Sequence, residues 1–236
     1  MARLDNSRWT VVWGMMRVLT WATLALLDCL VMGSHAWAAE DYSNAETQLF
    51  MQAHLQKLKL PSQLNYQFSK TGSSEPGFED SVLLAVTAHK GLCCQTQVQF
   101  LSGARRLQLP EVEDAKGNPV ILYFLERDIR EMQRLTKGQS NYFRTRIRKA
   151  IYQAAQETPV QLRYQGHNVA GQEFDIAPYQ DDPLRERFGA LADKHYVFTL
   201  SQEVPGTLVA IRTWVKKPGE SNKLPQETLL LKGAQL

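Results

Sequence analysis

The chain has 236 residues, and its 27 Lys and Arg stand against 24 Asp and Glu for a formal net charge of +3. That near-balance excludes a protein that binds nucleic acid through its overall charge. Three cysteines, two of them adjacent, exclude a disulfide scaffold.

Residues 1–38 read as a cleavable export signal. Arg3, Arg8 and Arg17 supply a positive start, and an apolar run follows from Val18 to Gly33. Ser34-His35-Ala36-Trp37-Ala38 then offers small residues where a signal peptidase reads, so cleavage is expected after Ala38. The run is shorter than the roughly 20 residues that span a bilayer. An uncleaved anchor extended back to Val11 would bury Arg17 at a cost of about 2.5–3.5 kcal/mol. Asp28 directly before Cys29 argues against a lipoprotein signal. The expected location is a bacterial periplasm, with no stable transmembrane span after cleavage and no nucleic acid partner. Residues 39–236 then form a single strand-rich domain with 24 basic and 22 acidic residues.

Residues 42–58 carry a helical apolar pattern that Pro61 ends. Leu64, Tyr66 and Phe68 alternate with polar residues, the period of a half-buried strand. The segment 71–77 is a turn. Val82 to Val86 is almost continuously apolar, which predicts a strand covered on both faces. Next, Leu92, Cys94, Thr96, Val98 and Phe100 fall on one face of a strand, with Cys93, Gln95, Gln97 and Gln99 on the other. The basic pair Arg105-Arg106 follows it, and 111–119 is a polar loop. Val120 to Phe124 reads as a short strand that runs into two helices covering 125–155. Gly138 is the expected stop of the first, and Ser140 or Asn141 the cap of the second. Strands return at 160–165 and 174–176. Asp182-Pro183 opens a short helix, and strands at 196–200 and 209–215 flank a type II turn signal at Val204-Pro205-Gly206-Thr207. A loop at 216–225 precedes a last strand, 227–231.

Short turns between successive strands, with the helices inserted as blocks, predict an α+β fold. The expected architecture is a curved, mostly antiparallel sheet of about 8–10 strands, with an N-terminal helix and a central two-helix insertion.

The charge is unevenly spread. Between Phe124 and Lys149 there are eight basic residues and three acidic ones. Arg144, Arg146, Arg148 and Lys149 make the second helix a candidate surface for an acidic envelope partner, although such runs are also simply solvated faces. Tyr66, Phe68, Val98 and Phe100 are candidates to line an apolar cleft, with Arg144 and Arg148 engaging the anionic end of a lipid-like ligand. On a regular strand Cys93 and Cys94 point to opposite faces, which makes Cys94 a core residue and Cys93 a surface thiol; a vicinal disulfide requires the strand to break. No His, Cys or acidic residues stand at metal-ligand spacing, no nucleophile motif or phosphate-cradling glycine loop is present, and no cofactor is implied. The element order resembles that of the half-barrel lipid and lipoprotein carriers of the periplasm, without a motif shared with them. The resemblance implies a carrier or binding protein for an apolar or amphipathic ligand. The alternative is an envelope assembly factor that docks a partner through 125–155.

Overall fold

A computed structural model describes residues 42–71, 76–89, 92–110, 115–215 and 225–236. The signal reading of 1–38 and most of the loop at 216–225 lie outside these residues. Nine strands pair antiparallel into one open sheet: β1 (Ser62–Lys70), β2 (Phe78–His89), β3 (Leu92–Phe100), β4 (Gln156–Tyr164), β5 (His167–Ile176), β6 (Lys194–Leu200), β7 (Leu208–Val215), β8 (Pro225–Leu231) and β9 (Ala234–Gln235). The order is β3-β2-β1-β8-β7-β6-β5-β4-β9. Two meanders, β1 to β3 and β4 to β8, therefore meet where Phe68 stands opposite Leu229. The expected α+β class and strand count are both observed.

Three helical elements matter for the site. A capped turn, α1 (Asn44–Glu46), continues as a π-helical turn, Thr47–Met51. Helices α2 (Val120–Thr136) and α3 (Ser140–Ala154) connect β3 to β4. The core fills the space between helices and sheet. Phe68 of β1 packs against Phe100 of β3 and Phe124 of α2, each with ring centroids 6.3 Å away. Tyr123 stacks on Phe100 at 6.0 Å.

A buried polar cluster fixes α2 on the sheet. Asp128, completely buried, forms an ion pair with Lys194 and accepts a hydrogen bond from the Tyr196 hydroxyl. The Tyr196 and Tyr179 hydroxyls are 3.4 Å apart. Burial, followed by the nearby Asp128 charge, raises the pKa of both tyrosines. Asn118 forms a second hub. Its amide group donates to Tyr66 Oη and to the Gly206 carbonyl, both at 2.9 Å, while its Oδ1 accepts from the Val120 amide at 3.1 Å.

Several expectations need correction. Val120 to Phe124 forms the first turns of α2, not a strand, because Pro119 at the N-cap position is already helical, Asn118 Oδ1 accepts the Val120 amide, and the buried positions continue the helical period through Phe124, Asp128 and Met132. The N-terminal helix stops at Met51 rather than near 58. Gln52 turns extended, and the His54 amide bonds to the Lys116 carbonyl at 3.0 Å. On β2 only Val82, Leu84 and Val86 are buried, whereas Leu83 and Ala85 are partly exposed, so that stretch is fully covered on one face alone. Lys137, not Gly138, adopts the left-handed conformation that ends α2 (φ 58°). Gly138 instead makes room for Phe143, since a Cβ there would sit 2.5 Å from that ring. Gln139 occupies the N-cap position of α3, without a side-chain cap bond. The helix after Pro183 consists of 3-10 turns, Arg185–Asp193, broken at Gly189. Cys93 and Cys94 form a vicinal disulfide. The β2–β3 register slips between Thr87 and Ala88 and leaves Cys94 without a strand partner, so the pair departs from the regular strand on which a bond was not expected. The expected burial is observed, with Cys94 in the core and Cys93 exposed.

His54 provides a pH test of this packing. Its Nδ1 accepts the Asn118 amide proton at 2.9 Å, so the ring must carry its own proton on Nε2, which donates to the Gln48 carbonyl at 2.7 Å. Burial lowers its pKa, and the Gln48 bond opposes that shift. Its contribution to stability is complete above about pH 6.5 and is lost as the pH falls through the lowered folded value, because the unfolded chain takes up the proton first. Denaturant unfolding at a series of pH values should show a wild-type decline below about pH 6.5, of at most about 1.4 kcal/mol per pH unit for this group. A His54→Asn variant should show a shallower decline.

Candidate functional site

A groove of about 690 Å³ is bounded by α1 and the turn that continues it, the segment leading into α2, and the two long helices. Its formation starts with local bonds. Ser43 and Glu46 form a capping box: the Ser43 hydroxyl accepts the Glu46 amide at 3.1 Å, and Glu46 Oε2 accepts the Ser43 amide at 3.2 Å. The same hydroxyl is 3.3 Å from the Ile151 carbonyl, which holds α1 beside α3. Phe50 thereby forms one wall. The floor consists of Leu125 and Ile129 of α2 with Ile147 and Ile151 of α3, all buried. Leu109, Pro110 and Pro119 form the end. Leu122 projects into the opening and is 46 % exposed, the most solvated large apolar side chain of α2.

The rim is charged. Glu46, Glu126, Arg144 and Arg148 border the groove. Glu126 receives two arginines: Arg144 Nη2 approaches its Oε2 at 2.9 Å, and Arg130 Nε its Oε1 at 3.3 Å. Arg144 also donates to Asn141 Oδ1 at 2.7 Å. Arg148 has no carboxylate within ion-pair distance among the described residues, so an unmatched cation stands at the edge of an apolar trough. The groove volume lies within the range of about 300–1,000 Å³ that small-ligand sites occupy.

The expected site residues divide between different places. Arg144 and Arg148 border the groove. Tyr66, Phe68 and Phe100 lie in the packed core on the sheet side of the helices, each no more than 1 % exposed. Val98 is half-buried beside a separate recess of about 340 Å³ at the β3 edge. Among the described residues no strand residue lines the groove, because large aromatic side chains fill the space between helices and sheet. Arg146 points away from Arg144 and Arg148: its Nε is 2.8 Å from Asp182 Oδ2 and donates to the Pro178 carbonyl at 3.2 Å. Asp182 also accepts from the Tyr142 hydroxyl at 2.6 Å, and Tyr142 has a raised pKa through burial and then that bond. Lys149 is exposed on α3.

Leu125 and Ile129 are legible in the sequence as the apolar face of the first long helix but not as a groove, whereas Leu122 and Phe50 carry no such signal in that reading. Starting the helical period at Val120 would have placed Leu122, Leu125 and Ile129 at i, i+3 and i+7 on one stripe. Among the described residues no helix is long and apolar enough to cross a membrane. No family model and no curated protein sequence matches the chain.

The exposure difference predicts how groove residues respond to truncation. Leu122→Ala should shift the unfolding free energy by less than about 0.5 kcal/mol. Ile147→Ala, on the buried floor, should cost about 2–5 kcal/mol in the same denaturant titration.

Proposed function

We propose that this chain is a binding or carrier-type protein that takes the apolar part of an amphipathic anionic molecule into the groove between α1, α2 and α3. The observation that carries this reading is the juxtaposition of an apolar trough of about 690 Å³ with Arg148, whose charge has no partner among the described residues. A carboxylate or phosphate head at the rim would form a charge-assisted hydrogen bond with that guanidinium. Its chain would lie along Leu122, Leu125, Ile129 and Ile151, removing apolar surface from water at about 25 cal/mol per Å². Arg144 supports the head from its bridge to Glu126. Because the floor is preformed by helix packing, little ordering is required on binding. We assign this activity to the periplasm on the export-signal pattern of residues 1–38.

Docking of an acidic partner through Arg144, Arg146, Arg148 and Lys149 has less support. Arg146 is committed to Asp182 and Arg144 to Glu126, so the four do not form one free surface.

A fluorescent fatty-acid anion is the appropriate probe. The wild-type protein should bind it with saturable enhancement. Leu122→Asp should weaken binding about 10-fold or more, the equivalent of roughly 1.4 kcal/mol, and Arg148→Glu should weaken it severalfold, both without loss of fold. No binding by the wild type, or binding indifferent to Leu122→Asp, would overturn the proposal.

A further inference from the structure

The opposite flank of α2 carries a second feature that the groove does not use. Arg127, Arg130 and Arg134 follow at i, i+3 and i+7, and the 3-10 turn Gly103–Arg105 brings Arg105 and Arg106 towards them. Two adjoining recesses of about 240 and 280 Å³ lie between these elements, sharing Arg105, Arg127, Glu131 and Arg134.

The guanidinium groups here are positioned by aromatic packing. Phe68 and Phe78 stack with centroids 5.6 Å apart. Arg127 lies over the Phe68 ring at 4.8 Å, and Arg105 lies over Phe78 at 4.2 Å. Arg127 is further anchored by Glu227 at 2.8 Å. A guanidinium placed over a ring keeps N–H donors for other partners, in a fork that matches two oxygens of one anion. The nearby carboxylates are already committed. Glu131 accepts from Arg134 and from Lys70, both at 2.9 Å, and the Arg134 hydrogen bonds, with help from Lys70, hold its pKa down to about 2. Glu126 holds Arg130. Asp80, beside Arg105, accepts from the Ser102 amide and hydroxyl, both at 3.1 Å. Arg105 and Arg106 have no carboxylate within ion-pair distance among the described residues. A solvated basic face would explain the charge, but not two guanidinium groups laid on a stacked aromatic pair at the wall of a recess.

We propose that the recess walled by Arg105 and Arg127 over the Phe68–Phe78 stack is a binding site for a phosphate-type oxyanion, separate from the apolar groove. The anion would sit between the two guanidinium edges, with Arg134 and Arg106 at its periphery. Its source is either a free oxyanion or a phospholipid headgroup.

Calorimetric titration with inorganic pyrophosphate and flotation with phosphatidylglycerol vesicles, against phosphatidylcholine vesicles as control, test this on the whole protein. Pyrophosphate binding that falls about 10-fold or more in Arg105→Ala, and largely fails to recover in Arg105→Lys, supports the site with a free oxyanion. Vesicle binding lost in the same variants, without a pyrophosphate signal, supports it with a headgroup. Arg106→Ala, on an exposed side chain, should weaken either signal severalfold and guards against misfolding of the Arg105 variants, which thermal unfolding also monitors. Absence of both signals in the wild type, or signals unchanged in Arg105→Ala, would overturn the site. A signal lost equally in Arg148→Ala would assign the anion to the groove and also overturn it, whereas failure of the fatty-acid probe leaves this site standing.

Discussion

A carboxylate shut away from water can be tolerated only where its charge is met, and Asp128 meets its counter-charge on the sheet. Lys194 at the start of β6 and the Tyr196 hydroxyl two residues later hold it from below. Such a pair contributes little net stability, because desolvation offsets most of the attraction, but removal of either partner leaves a buried charge exposed to its full cost. We therefore assign the pair an orienting role. It sets the rotation of α2 about its axis, and that rotation decides what each flank of the helix faces.

With Asp128 directed at the sheet, helical geometry distributes the remaining side chains. Ile121, Phe124 and Met132 share the buried face. Leu122, Leu125 and Ile129 turn towards α3 and α1, where they form the groove. Arg127, Arg130 and Arg134 turn the other way, towards β1 and the 3-10 turn. A rotation by one residue, about 100°, would bury an arginine and expose a core side chain. The groove, the arginine recess and the core are thus three consequences of one helix orientation. The aromatic residues of β1 to β3 serve the same arrangement. They fill the space beneath α2, so the groove lies on the outer side of the helix pair.

The period-2 alternation at Leu64-Tyr66-Phe68 and the turn chemistry at Val204–Thr207 were sufficient to locate β1 and the β6–β7 connection, since both are local patterns. The antiparallel class also followed from short connections. The pairing of β1 with β8 was not legible, because it joins segments far apart in the chain and no local pattern encodes the partner. The start of α2 is not legible because Val120 to Phe124 is apolar enough for either structure, and the bond from the Val120 amide to Asn118 Oδ1 shows itself only in the folded chain. That ambiguity hid Leu122 and with it the groove. Charge alone singles out Arg144 and Arg148, and the structure puts both at the edge of the groove. Arg146 could not be separated from them, since its partner Asp182 is 36 positions away. The bulge that unites Cys93 and Cys94 was equally hidden, because a register slip depends on the neighbouring strand.

A double-mutant cycle on Asp128 and Lys194, followed by denaturant unfolding, tests the orienting pair most directly. Asp128→Ala and Lys194→Ala should each cost about 3–5 kcal/mol, and the double variant should lie close to either single rather than at their sum. Additive losses, or single variants within about 0.5 kcal/mol of the wild type, would contradict a buried pair that holds α2 in place.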